Sequence, residues 1–412
     1  MIKAPRGTQD IYGDTAALWQ KIEQEALRIF QQAGFQELRT PTFEASELFN
    51  RAVGESSDIV NKEMYTFFDR SERSLTLRPE GTAGVVRAFI ENAFDRQGLP
   101  SKIWYRGPMF RYERPQKGRY RQFNQIGIEV IGAKAPYSDL EIINLGVELM
   151  QALEITNLEL HINTLANAAS RELYTQALKT FLETHLEHVC SDCQTRFRQN
   201  PLRCLDCKNT DDQKIYAKAP KILDFLDKES EQIWQDCQNG LEALGIKYKI
   251  DANLVRGLDY YNHLVFELKS SCDTLANQNT VLAGGRYDNL VNTLGGQQVA
   301  ACGWALGIER IASLITAQTK QEKLFIISDN ELEALKLAKK LRQDLNIQIE
   351  FAFENSKFKK QLEKAIKKSY NWVLFYLEDE RNQNHFKVKN LFTNTEYDKL
   401  NYQELIEKIS NV

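Results

Sequence analysis

The stretch from Lys102 to Gly132 constrains the fold more than any other part of the chain. Two runs of strand character, Lys102 to Glu113 and Arg121 to Ile131, flank a loop, Arg114 to Tyr120, that contains Pro115 and Gly118. So short a connection predicts antiparallel neighbours rather than the separated strands of a βαβ unit. Alternation in the second run puts Gln122, Asn124, Ile126, Ile128 and Val130 on one face. Arg121, Phe123, Gln125, Gly127 and Glu129 fall on the other. The first face is apolar through its C-terminal half and should meet the core. The second sets Gln125 and Glu129 beside a glycine that leaves room for a ligand. From Lys102 to Arg121 there are seven Lys or Arg residues against the single acidic Glu113, so a basic loop stands over a polar floor. That combination suits a small charged molecule. A hairpin with a merely wet outer face leaves this density of Arg and Gly unexplained.

The remaining patterns predict an α+β fold, an antiparallel sheet with helices packed on it. Asp14 reads as an N-cap, and Leu18, Ile22, Ala26, Ile29 and Phe30 then recur at helical spacing until Gly34. Leu140 to Leu153 reads as another helix, and Ser74 to Leu77 and Asn253 to Leu268 as strands. From Leu165 to Lys249 the chain turns helical and polar, which predicts an inserted domain. A third unit begins near Lys323. Its expected strands are Leu324 to Ile327, Ile347 to Phe353, Trp372 to Leu377 and Phe386 to Phe392; its expected helices are Glu331 to Leu345, Phe358 to Lys368 and Tyr402 to Ile409. The division is therefore a core split between 1–164 and 250–320, an insertion at 165–249, and a small α/β domain at 321–412. At 412 residues, several domains are expected on length alone.

No stretch approaches the roughly 20 apolar residues of a membrane span. The N-terminus has no apolar run after its charges, so the expectation is a cytoplasmic protein without membrane partners. In that compartment the seven cysteines are thiols or metal ligands. Cys190-x2-Cys193-x10-Cys204-x2-Cys207 has the paired spacing of a tetrahedral structural Zn²⁺ site, with no part in catalysis. His185 and His188 read as surface residues. A net charge of −3 makes no global case for nucleic acid. The six lysines between Lys357 and Lys368, set against Glu363, are by themselves a solvated face.

Trp104 to Gly132 resembles motif 2 of the class II aminoacyl-tRNA synthetases, in their histidyl form. Arg6-Gly-Thr-Gln-Asp-Ile11 is similar to that family's N-terminal signature, and Leu77-Arg-Pro-Glu-Gly-Thr82 to its amino-acid-binding turn. Leu254-Val-Arg-Gly-Leu-Asp-Tyr-Tyr261 resembles the histidine-specific peptide, Ala283-Gly-Gly-Arg-Tyr-Asp288 also fits, and Gly303 to Ile311 resembles motif 3. Phe35 to Phe43 falls where the family places motif 1, its dimer interface. Lys357 to Ala365 and Val388 to Leu391 are similar to its anticodon-binding unit, with a departure at Tyr376 to Glu380, where a glycine is expected before the acidic pair.

The resemblance implies a histidine–tRNA ligase working through an enzyme-bound adenylate. Its catalytic groups would be Arg111, Arg256 and Arg310. Arg111 would clamp the α-phosphate and the histidine carboxylate with a two-pronged guanidinium. Arg256 would approach the α-phosphate from the other side, and Arg310, near a helix N-terminus, would take the γ-phosphate. ATP would also meet Glu113, Arg121 and Gly307, with Gly303 and Gly307 letting the backbone approach adenine. Histidine would be held by Glu80, Gly81, Thr82 and Gln125 around the α-amino group, by Glu129 and Tyr261 at the imidazole, and by Tyr260 and Tyr287. Arg114 and Gln116 would read tRNA(His), Mg²⁺ would accompany ATP, and the protein would be a homodimer. Simpler readings pair Arg111 with Glu113 and Arg256 with Asp259, and put Tyr260 in the core. Two other functions compete: a regulatory relative that never charges tRNA, and a zinc-dependent RNA-binding protein. The first typically lacks the Arg256 peptide and the C-terminal domain; the second leaves four motifs without purpose.

Overall fold

A computed structural model describes residues 2–54, 57–116, 118–272, 279–315, 322–354 and 356–410. It divides into two compact units, Met1–Ala317 and Gln318–Val412. Among the described residues no helix is long and apolar enough to cross a membrane.

The first unit contains strands β1 (Gln36–Glu37), β2 (Phe43–Ala45), β3 (Tyr65–Phe68), β4 (Ser74–Leu77), β5 (Ser101–Phe110) and β6 (Gln122–Ile131). It continues with β7 (Leu158–Thr164), β8 (Tyr248–Ile250), β9 (Asn262–Ser270), β10 (Thr280–Arg286) and β11 (Ala301–Gly307). Eight of these form one sheet in the order β1-β5-β6-β11-β10-β9-β7-β8. Pairing is antiparallel from β5 to β7 and parallel only where the short β1 and β8 join the edges. The remaining three make a small antiparallel sheet, β2-β4-β3.

Alternation on β6 works as the sequence pattern predicts. Ile126, Ile128 and Val130 enter a core shared with helices Gly13–Gln32, Tyr137–Ala152 and Lys228–Ala243. The opposite face looks towards helices Ser46–Val53 and Thr82–Glu91 and a second core. Asp14 is not the N-cap: Tyr12 takes that position without a side-chain bond, and Asp14 lies inside the first turn, where its charge suits the helix dipole. The strand expected from Asn253 starts only at Asn262, because the residues before it form an irregular loop.

The insertion expected at 165–249 lies within the first compact unit. Trp234, Cys237 and Leu241 of helix Lys228–Ala243 belong to the main core, and β8 joins the main sheet. A local core remains around Tyr174, Leu178, Cys193, Cys204, Leu205 and Tyr216.

The second unit carries β12 (Lys323–Ile327), β13 (Gln348–Phe351), β14 (Trp372–Phe375), β15 (Phe386–Asn390) and β16 (Glu396–Leu400), ordered β13-β12-β14-β15-β16. β16, absent from the sequence reading, pairs antiparallel with β15 at the sheet edge. Mostly exposed or half-buried, it has no apolar run to announce it.

Candidate active site

A cavity of about 920 Å³ opens on the polar face of the large sheet. Arg111, Arg256 and Arg310 all line it, although they lie in separate parts of the sequence. Arg111 follows β5; its Nε donates to the Pro79 carbonyl (2.8 Å) and its guanidinium lies over the Phe123 ring at 5.2 Å. Arg310 stands on the short helix Ile308–Ala312, whose Ile308 and Ile311 are buried. Its Nε donates to Gly118 O (3.2 Å) and its Nη1 to Thr280 O (2.7 Å), tying the motif 2 loop to β10. Arg256 donates from Nη1 to the Glu267 carboxylate and lies 5.6 Å from the Tyr261 ring centre.

These cations feel one another. Burial lowers Arg111 below the usual arginine value, opposed by Glu63 and Glu80 and reinforced by the charge of Arg256. Burial, followed by the charges of Arg111 and Arg119, brings Arg310 down to about 10. For Arg256 burial works in the same sense, but Glu267 and the neighbouring tyrosines outweigh it and the net shift is upward. A pocket that holds desolvated, mutually repelling cations favours a compact polyanion.

Neither simpler arginine pairing occurs. Glu113 is paired with Arg119 rather than Arg111, and Arg256 pairs with Glu267 rather than Asp259. Asp259 is held instead by Arg203 Nη2 at 2.9 Å.

Beside the cations lies a second, carboxylate-centred region. Glu129 is 1% exposed; it accepts Thr82 Oγ1–H at 2.7 Å and Tyr287 O–H at 2.5 Å. Burial pushes its carboxyl up to about 8, against the pull of those two hydroxyls. Gly303, directly opposite on β11, makes room for it: a Cβ there would stand 1.6 Å from Glu129 Oε2. The space at Gly303 is therefore filled by Glu129, not left for adenine, whereas at Gly307 a Cβ would meet nothing nearer than Arg310 Cγ at 4.0 Å. Glu80 accepts the Thr82 and Ala83 N–H groups (2.7 and 2.8 Å), capping helix Thr82–Glu91. Gly81 is required by the Tyr105 ring, 2.1 Å from where its Cβ would be. Among the described residues Gln125 Oε1 is buried without a hydrogen-bond partner, and the residue lines the cavity. Tyr260 and Tyr261 line it too, with ring centres 4.6 Å apart; Tyr260 also meets Tyr287 at 5.5 Å.

Arg121 is not among the lining residues. It lies over the Tyr112 ring at 3.9 Å, and its backbone N–H donates to Gly7 O at 2.8 Å, so it anchors the N-terminal turn. Arg119 faces the cavity in its place. Arg114 and Gln116 are exposed at the tip of the loop, where Gln116 and Arg119 exchange backbone hydrogen bonds. Sequence reasoning missed Tyr105 and Glu267. Both could have been found by extending alternation: Tyr105 pairs with Gly127, and Glu267 with Ala283, in register across the floor.

The residues that could hold a metal ion differ from the four-cysteine expectation. Among the described residues, Cys190, Cys193 and Cys207 gather with Asp212. The Cys204 thiol instead donates to Cys193 O at 3.5 Å.

Residues 7–311 match the family model for histidyl-tRNA synthetase, and residues 315–412 match that for an anticodon binding domain. A histidine–tRNA ligase of Bacillus subtilis is 45% identical over 94% of this chain and 94% of its own length. One from Listeria monocytogenes is 41% identical over 100% of this chain and 98% of its own. The crystal structure of the apo histidyl-tRNA synthetase of S. aureus is similar with a TM-score of 0.80 at 35% identity, covering 99% of this chain and all of that one. A Bacillus halodurans protein described as an ATP phosphoribosyltransferase regulatory subunit/histidyl-tRNA synthetase shares the fold, with a TM-score of 0.68 at 20% identity over 92% of this chain and 98% of its own. With both family models matched and such relatives along its whole length, the chain belongs to the histidyl-tRNA synthetase family.

Proposed function

We propose that this chain activates L-histidine with Mg²⁺-ATP and loads it onto tRNA(His) in the cytoplasm. The observation that carries the reading is the convergence of Arg111, Arg256 and Arg310 on one cavity beside the buried Glu129. In the first step the histidine carboxylate attacks the α-phosphorus, the bond to the β-phosphate bridging oxygen breaks, and diphosphate leaves. Negative charge grows on the phosphate oxygens, and fixed guanidiniums stabilise it without reorganisation. Arg111 and Arg256 take opposite sides of the α-phosphate, with Arg256 sharing its charge between Glu267 and the nucleotide. Arg310 takes the outer phosphates; Glu113 and Gly307 complete the nucleotide site, with Arg121 supporting it through the N-terminal turn. In the second step a terminal tRNA hydroxyl attacks the adenylate carbonyl and AMP leaves.

Histidine is recognised by pairing its polar atoms. Glu129 has lone pairs left after accepting from Thr82 and Tyr287 and can accept an imidazole N–H. Tyr261 faces the other side of the ring, Tyr260 and Tyr287 enclose it, and Gln125 with Glu80, Gly81 and Thr82 takes the α-amino group. Arg114 and Gln116, exposed on the motif 2 loop, contact tRNA, and the second unit takes its anticodon. Two copies pair through the motif 1 region.

Purified protein should give histidine-dependent ATP–diphosphate exchange and charge tRNA(His), with no exchange for the other amino acids. Arg256→Ala should lower exchange by about 10²–10³-fold, the scale for losing a preorganised charge donor. Neither adenylate nor charged tRNA from the wild-type protein would favour the regulatory alternative.

A further inference from the structure

Cys190, Cys193, Cys207 and Asp212 form a cluster that this reading of the active site leaves unused. Three sulfurs and one carboxylate oxygen lie within 4.8 Å of one another. Cys190 Sγ and Cys207 Sγ are 3.8 Å apart, and Cys207 Sγ is 3.3 Å from Asp212 Oδ2. Tetrahedral Zn²⁺, with bonds of about 2.3 Å to sulfur and about 2.0 Å to oxygen, sets S···S edges near ~3.8 Å and S···O edges near ~3.5 Å. Both measured separations match such edges.

The surroundings also suit a cation. Asp212 is 2% exposed and, among the described residues, has no ion pair with any Lys or Arg. With three cysteine sulfurs gathered around it and no cationic side chain beside it, this carboxylate is placed as the oxygen ligand of a divalent ion. Its oxygens are aimed by the Cys190 N–H, 3.2 Å from each. Asn209 N–H donates to Cys207 Sγ at 3.4 Å, an outer contact that orients a sulfur ligand. Cys190 precedes helix Ser191–Gln199, which places Cys193 in its first turn. Around the cluster the chain runs through helices of nine, six and seven residues, too short to stand without tertiary support.

We propose that Cys190, Cys193, Cys207 and Asp212 bind one Zn²⁺ tetrahedrally as the structural staple of the inserted segment. Cys204 is a packing residue of the same core. The ion braces the active-site wall, because Leu205, Asp206, Cys207 and Lys208 all line the cavity.

Full-length protein, reduced and dialysed against metal-free buffer, should retain one Zn²⁺ per chain by elemental analysis. Co²⁺ exchanged into it should give the visible bands of a tetrahedral ion and thiolate-to-metal charge transfer. Cys190→Ser and Cys207→Ser should abolish binding, Asp212→Asn should weaken it by about tenfold or more, and Cys204→Ala should keep full stoichiometry. Circular dichroism of each variant separates lost binding from lost fold; should the thiol variants not fold, the Co²⁺ spectrum of the wild type still decides. Metal-free native protein with freely titrating thiols and no charge-transfer band overturns the site. Loss of metal in folded Cys204→Ala, with Asp212→Asn unaffected, overturns the ligand set.

Discussion

At Glu129 the same burial that gives selectivity also imposes a pH dependence. The carboxyl is fixed by Thr82 and Tyr287 and backed by the missing side chain of Gly303, so it cannot turn towards solvent. Its ordinary value of 4.5 rises to about 8 in the folded protein. Between these values the folded chain keeps a proton that the unfolded chain has released. The contribution to stability is therefore complete below about 4.5 and disappears as the pH climbs through about 8. In Glu129→Gln nothing titrates. The stability of this variant minus that of the unliganded wild type should grow across the window by up to about 1.4 kcal/mol per pH unit, a few kcal/mol in all. Urea unfolding of both proteins at several pH values measures it. A difference that stays flat would mean the carboxylate is ionised throughout and stabilised by something other than the two hydroxyls.

Among the elements, the loop over residues 254–261 most separates what the sequence discloses from what only the fold can. Its apolar and aromatic residues read as the start of a strand, yet its backbone bonds go to unrelated elements. Asp259 N–H donates to Val53 O at 3.2 Å, and the Gly257 carbonyl accepts from Arg203 Nη2 at 2.9 Å. No local pattern encodes partners more than fifty residues away. By contrast, β6 and the helix Gly13–Gln32 were legible because their apolar residues recur at the period of the element itself. The three arginines came from motif resemblance; their mutual repulsion, and Glu267 as the partner of Arg256, needed coordinates. The cysteine spacing disclosed a cluster but not that Asp212 displaces Cys204 from it. Arg203, in the inserted segment, ties that segment to the Arg256 loop through Gly257 O and Asp259 Oδ1. It is not among the residues lining the cavity and is a positioning residue. Arg203→Ala should cost about 2 kcal/mol of stability, the scale of a lost charged hydrogen bond. It should also lower the rate constant of histidine activation more than it raises the KM for histidine. Arg203→Lys, which keeps the charge but reaches the loop with a more flexible stem, should recover part of the rate. Wild-type exchange kinetics in folded Arg203→Ala would show that the loop holds its shape without this brace.

For the whole molecule, the exposed aromatic residues of the small sheet point to self-association. Phe43, Phe67 and Phe68 on β2 and β3 are 51%, 41% and 70% exposed, and the Phe43 and Phe67 rings meet edge to face at 6.3 Å. Alternation puts Phe43 and Phe67 on one face of this small sheet and Phe68 on the other, so Phe43 and Phe67 form one exposed aromatic patch, unfavourable for a monomer. They adjoin the motif 1 stretch, Phe35 to Phe43, where the family resemblance puts the dimer interface. A two-fold contact buries the same patch on both copies, so each side chain counts twice. Fully covering a Phe contributes about 1.5–3 kcal/mol, and Phe43, 51% exposed and within that stretch, is the most informative single position. The wild-type protein should sediment as a dimer at micromolar concentration. Phe43→Asp, which places a charge where the partner's apolar surface would come, should shift it towards monomer while leaving its circular dichroism unchanged. A wild-type protein that sediments as a monomer would remove the dimer from the reading, and a folded Phe43→Asp that stays fully dimeric would move the interface to another face.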